Sequence, residues 1–254
     1  MKNFAKSAIR VGLHQAGGLE LVRRYPGSEL RILCYHRFSR PEGDITEAWE
    51  WQCQHLRRHY HPLSLAEAAR RLANGDPLPP RSVVVTVDDG YGDFYKCGWP
   101  AARRHGIPAT VFLTTGFLDG ECWLWWDRVQ YAVLATSARV LEWEFASGHR
   151  FERVLESSPM ARREAAHDLC VLATREPDAE RVRLSEQIAR ALRVDIADVP
   201  PAINAPLTWE QVREMSAAGI AFGAHSRTHP ILTMLQEPEI ASEVVVSKRR
   251  IEEE

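Results

Sequence analysis

Hydrophobic and polar positions along this chain fall into short β-type runs separated by helical stretches. Residues 30–38 (LRILCYHRF) form an apolar run of strand type, and residues 49–60 follow with Trp51, Leu56 and Tyr60 at helical spacing. A second helix is expected over 65–73, stopped by Asn74-Gly75 and then by Pro77, Pro79 and Pro80. Residues 82–87 (SVVVTV) are almost all β-branched, read as the clearest strand, and run straight into Asp88-Asp89-Gly90. Residues 91–105 read as a helix ended by Gly106 and Pro108, and 109–114 (ATVFLT) as the next strand. Strand, helix and strand with short connections make a βαβ unit, which builds parallel sheets or barrels with right-handed crossovers.

Residues 120–205 break that rhythm. They hold an aromatic cluster (Trp123, Trp125, Trp126), a strand expected over 140–145 and two charged helical segments at 159–174 and 179–192, and they read as a largely helical insertion. The α/β rhythm returns with a helix over 208–218, opened by a Thr208/Gln211 capping box, and a strand over 220–224. Residues 237–254 look like a helix in progress, and the sequence stops there without a cap or a following strand. An open sheet edge is a liability, so the C-terminal part of the fold is expected to be missing from this chain.

Composition narrows the classes. With 254 residues, 45% of them hydrophobic, the chain can bury a full core. Its 32 basic and 34 acidic residues leave a net charge of −2 without a long basic run, which argues against a nucleic-acid partner. Five scattered cysteines with no C-x-x-C pair suggest reduced thiols, and Cys34 and Cys97 read as buried small hydrophobes. Residues 1–29 are expected to form a helical segment. It lacks a signal-peptide core, so a cytoplasmic location is expected. Its basic, mildly amphipathic stretch reads as an ordinary first helix or as a peripheral contact with the membrane surface.

Two clusters can carry chemistry. Asp88 and Asp89 sit where a strand ends, on the edge at which α/β barrels build active sites, although an Asp-Gly pair is also an ordinary turn. His225-Ser226-Arg227-Thr228-His229-Pro230 also follows an apolar strand, and Pro230 disfavours helical geometry at His229, so the histidines belong to a loop or first turn. Alone, they could be two solvated loop histidines. Together, two imidazoles and a carboxylate suit a hydrolytic metal with open positions, and the second carboxylate is free to act as a base.

These residues resemble the polysaccharide deacetylases of carbohydrate esterase family four, the NodB homology domain. Thr86-Val87-Asp88-Asp89-Gly90 is similar to the T-F-D-D-G motif with valine for phenylalanine, and residues 225–230 to H-[ST]-x-[ST]-H-P. Residues 109–113 and Leu33-Cys34-Tyr35-His36 are similar to strands seen in members. The resemblance covers about residues 30–118 and 206–254 and is silent on the insertion. It implies a distorted (β/α) barrel over 30–254, with Asp88 as general base and Asp89, His225 and His229 holding a divalent metal, Zn2+ first. It also implies hydrolysis of N-acetyl groups on a sugar polymer or lipid-linked glycan. The later motifs of the family, among them the histidine that carries the general acid, have no counterpart here. That leaves room for an impaired metal- or carbohydrate-binding protein, or for an O-acetyl esterase or other C–N hydrolase.

Three further side chains are candidates for substrate contact. His36 ends a strand and lines the same mouth or fills a rim position. Trp125 and Trp126, with Trp123, offer aromatic faces for a pyranose ring or packing for the insertion. Asp93 reads as a carboxylate meeting a helix dipole.

Overall fold

All six residues of β5 (Ser82–Val87) are buried, as expected of a central strand covered on both faces, and the sheet is assembled around it. In the computed structural model residues 29–40 and 43–254 are described. The helical segment expected over 1–29, with its membrane-facing alternative, lies outside them but for Glu29. Strands β1 (Arg31–Tyr35) and β6 (Ala109–Leu113) flank β5, and β9 (Ala221–Ala224) pairs with β6, every pairing being parallel. A two-residue β4 (His61–Pro62) runs beside the start of β5. A small antiparallel ladder joins β2 (Ser39–Arg40) to β3 (Gly43–Asp44). The protein is thus a mixed α/β fold on a parallel sheet, with β1 and β9 at the ends of the described strand path.

Register decides where the site lies. Tyr35 pairs with Val87, Val87 with Val111 and Leu113 with Ala224, so the residues that follow β1, β5 and β9 emerge along one edge of the sheet.

The helices start and stop for local reasons. In α1 (Thr46–His59), Trp49, Cys53 and Leu56 are buried in the main core. Ahead of α2 (Leu65–Asn74), the Ser64 hydroxyl accepts from Glu67 N, and Gly75 closes the helix at φ 71°. The helix expected over 91–105 is interrupted. A π-helical turn (Phe94–Gly98), in which Trp99 N donates to Phe94 O, precedes α3 (Trp99–Arg104). Pro100 has no N–H for the regular ladder, which accounts for the break at this point. A short α4 (Thr115–Leu118) follows β6.

The segment 120–205 forms its own hydrophobic core. It contains α5 (Trp125–Ala135), a hairpin of β7 (Val140–Glu144) and β8 (Arg150–Val154), α6 (Pro159–Ala173) and α7 (Asp178–Ala191). Val129, Leu141, Leu169, Leu184 and Ile188 are fully buried within it. Helix α5 and strand β8 were not expected from the sequence pattern. α5 has no side-chain N-cap and begins inside the tryptophan cluster, and β8 buries only Phe151. The expected capping box is present at α8 (Trp209–Ala217), and a second one, Gln236 with Glu239, opens α9 (Glu237–Glu252). No helix among the described residues is long and apolar enough to cross a membrane.

Candidate functional site

The turn after β5 separates two adjacent carboxylates. Asp88 keeps the strand's course, its N–H donating to Tyr35 O at 2.8 Å. Asp89 adopts φ 76°, uncommon for a residue with a Cβ, and Gly90 follows at φ 87°. A side chain at Gly90 would meet Leu118 Cδ1 at 2.9 Å, so the turn needs its glycine for space as well as for conformation.

Asp89 points inward, its side chain only 3% exposed, and its Oδ1 faces His229 Nε2 at 3.3 Å and His225 Nε2 at 3.6 Å. Oδ1 is buried yet meets no hydrogen-bond donor among the described residues. An oxygen left so costs stability unless something else satisfies it. One atom from each of Asp89, His225 and His229 lies within 4.8 Å of the others, a set with the donors and spacing to surround a cation. Burial and then the neighbouring His229 push His225 below the usual histidine range, against Asp88 and Asp89, which favours the neutral imidazole that metal ligation uses.

The histidine loop is held from three sides. His225 N donates to Leu113 O at 2.9 Å, continuing the β6–β9 pairing. Thr115 N and Gly116 N at the start of α4 donate to Ser226 O and Arg227 O. Glu243 on α9 accepts from Arg227 N, Thr228 N and the Thr228 hydroxyl, each at 2.8 Å. Ser226 and His229 have φ of 63° and 60°, so the loop is a tight non-helical turn, in line with the restriction Pro230 imposes. Sequence reading missed Glu243, because nothing in a helical heptad distinguishes a loop-holding carboxylate from a solvated one.

Asp88 makes its side-chain contacts with β1 and the residue after it. Its Oδ2 accepts from Cys34 Sγ at 3.0 Å and lies 3.9 Å from His36 Nε2. Cys34 was expected to be buried. It is exposed instead, because β1 is the end of the strand path and this position is left uncovered.

A cleft of about 930 Å³ opens beside the triad, with His36, Asp89, Tyr91, Trp126, Asp127 and His167 among its walls. Tyr91 donates to Asp127 Oδ2 at 2.8 Å and accepts from Trp126 Nε1 at 3.1 Å, while the Trp126 ring meets His229 edge-on with centroids 4.7 Å apart. Burial raises the Asp127 carboxyl from 3.8 to about 6, against the opposing effects of Tyr91 and of Arg37 at 4.0 Å. Arg37 also lies over the Tyr91 ring, 4.0 Å from its centroid, and donates to Asp93 Oδ2 at 3.1 Å. Asp93 accepts further from Phe38 N and Ser39 N, so it ties the end of β1 to the turn after β5. Trp125 packs against the core of 120–205, and Trp123 is buried with its Nε1 donating to Asp198 O, which leaves Trp126 as the tryptophan of the cleft wall.

Residues 174–254 match the family model described as polysaccharide deacetylase. A Bacillus subtilis (strain 168) protein, YxkH, named for polysaccharide deacetylase, is 26% identical over 115 residues, 44% of this chain and 41% of that protein. The poly-beta-1,6-N-acetyl-D-glucosamine N-deacetylase of Escherichia coli (strain K12) is 38% identical over 65 residues, 25% of this chain and 10% of that one. The chain therefore spans less than half the length of these curated relatives. Among solved structures, IcaB from Ammonifex degensii superposes with TM-score 0.49 at 18% identity, over 89% of this chain and 70% of that one. The family model over residues 174–254 and both curated relatives thus make this chain similar to polysaccharide deacetylases.

Proposed function

We propose that this chain carries the catalytic site of a metal-dependent N-deacetylase acting on an N-acetylated sugar polymer or a lipid-linked glycan. The observation that carries the reading is the buried, unpartnered Asp89 Oδ1 aimed at two imidazole nitrogens. Asp89, His225 and His229 would hold a divalent ion, zinc first for this donor set, which when bound supplies Lewis-acid polarisation of the acetamide carbonyl and acidifies a water. Asp88, outside the triad and 17% exposed, takes the proton from that water. Breaking the C–N bond then releases acetate and leaves an amine once its nitrogen is protonated. His36, half-exposed and 3.9 Å from Asp88, is the imidazole available to deliver that proton. Trp126 offers an aromatic wall for a sugar ring. The parallel sheet is read as part of a distorted (β/α) barrel spanning 30–254, with 120–205 inserted.

The test is acetate release from N-acetylglucosamine oligomers by zinc-reconstituted protein, with Asp88→Asn and His225→Ala as controls. Release that disappears in both variants supports the reading. Release from O-acetylated sugars alone would make the chain an esterase. Bound metal without any release would make it a binding protein.

A further inference from the structure

The β1 side of the site joins His36 and Asp88 to a thiol, Cys34, that deacetylation as proposed does not use. Cys34 Sγ, a ring nitrogen of His36 and a carboxylate oxygen of Asp88 all lie within 4.8 Å of one another. Sγ is 3.0 Å from Asp88 Oδ2 and 4.0 Å from His36 Nδ1, and His36 Nε2 is 3.9 Å from Asp88 Oδ2. Ligands of one tetrahedral zinc ion stand about 3.5 Å apart, so small side-chain rotations would bring these three onto a common centre. Cys34 and His36 are two residues apart and leave the chain on one face, and the pairing of Tyr35 with Val87 brings that face against Asp88.

We propose that Cys34, His36 and Asp88 form a second divalent-metal site, selective for thiophilic ions such as zinc or cadmium, whose occupation stops the neighbouring reaction. A thiol, an imidazole and a carboxylate make three protein ligands with one position open, and the sulfur disfavours magnesium, calcium and manganese. Binding a thiophilic ion uses the thiolate and takes up the Asp88 carboxylate, so it releases a proton. The two clusters share no residue, since Asp89 serves one and Asp88 the other. The inhibitory consequence rests on the roles given above to Asp88 and His36, whereas the binding does not.

The test is titration of metal-free protein with cobalt(II), followed by calorimetry and by absorption. Wild type is expected to bind two equivalents, one of them with a thiolate-to-cobalt charge-transfer band. Cys34→Ser and Cys34→Ala should each lose that band and one equivalent. The His225→Ala/His229→Ala double variant should lose the other equivalent and keep the band. With zinc, acetate release should rise over the first equivalent and fall with excess in wild type, but reach a plateau in Cys34→Ser. One equivalent without a thiolate band in wild type, or a band that survives both Cys34 substitutions, would overturn the site. A band with no fall in release at excess zinc would overturn the inhibition. Absence of acetate release at every zinc level, with the band intact, would defeat the deacetylase reading and leave the second site standing.

Discussion

On the β9 side of the site Asp89 is 3% exposed and meets two imidazoles on a loop held by backbone contacts from β6 and α4 and by the Glu243 carboxylate of α9, whereas its sequence neighbour Asp88 is 17% exposed and meets a thiol and an imidazole at an uncovered strand. One backbone turn makes the difference. The φ of 76° at Asp89 sends its carboxylate into the sheet's edge while Asp88 continues along β5. Holding such a residue costs about 1–3 kcal/mol, and the turn is tied by Thr114 N donating to Asp89 O and Leu207 N donating to Gly90 O. A dipeptide of identical residues thus yields one buried carboxylate facing two imidazoles and one more exposed carboxylate beside a thiol, the pair to which the ligand and base roles are proposed. The comparison teaches that rigidity on one side of the site goes with accessibility on the other.

The largest effects should separate the two carboxylates. Asp89→Ala and His225→Ala are expected to abolish stoichiometric metal binding, measured as metal content per folded chain. Asp88→Asn should keep the metal while acetate release falls by about 10²–10⁴. Equal metal loss in all three variants would erase the division of labour. A smaller effect tests the rigid side through a residue that touches no metal. Glu243→Ala leaves Arg227 N and Thr228 N without their shared acceptor and should weaken metal affinity by about 10- to 100-fold. An affinity equal to wild type would show that the loop holds its shape unaided. Gly116→Ala addresses the same loop from α4, since a Cβ there would lie 2.8 Å from Arg227 O. It should cost about 1–3 kcal/mol in denaturant unfolding and shift metal affinity in the same direction as Glu243→Ala, though less. Unchanged unfolding and affinity would mean that the backbone yields without disturbing the histidines.

Much of this was legible in the sequence where a single local rule decides. The β-branched run of β5, the Gly75 stop and the Thr208 capping box each depend on neighbours within a few residues, and each is found where expected. The two motifs also come together as the pattern implied, because parallel register carries strand ends to one edge. What escaped depends on distant partners. Helix 91–105 is broken by the backbone demand of Pro100, α5 is held by the core of 120–205, and Cys34 is exposed because of where β1 falls in the strand order. The network of Arg37, Tyr91, Asp93 and Asp127 joins three stretches of chain that no periodicity links.

Asp127 gives the finest test, because it lies behind the rigid side rather than in it. Its carboxyl is raised from 3.8 to about 6 in the folded protein, burial outweighing Tyr91 and Arg37. The folded state therefore binds this proton more tightly than the unfolded chain does. The resulting stabilisation is complete at low pH, below the unfolded value, and is lost as pH rises through about 6. Asp127→Asn removes the titration while keeping an acceptor for the Tyr91 hydroxyl. In metal-free protein the variant should gain on wild type by up to about 3 kcal/mol between about pH 4 and about pH 8, read from denaturant midpoints at the two values. A difference that does not change with pH would mean that Arg37 keeps Asp127 ionised throughout, and that the wall behind Trp126 and His229 carries a fixed negative charge.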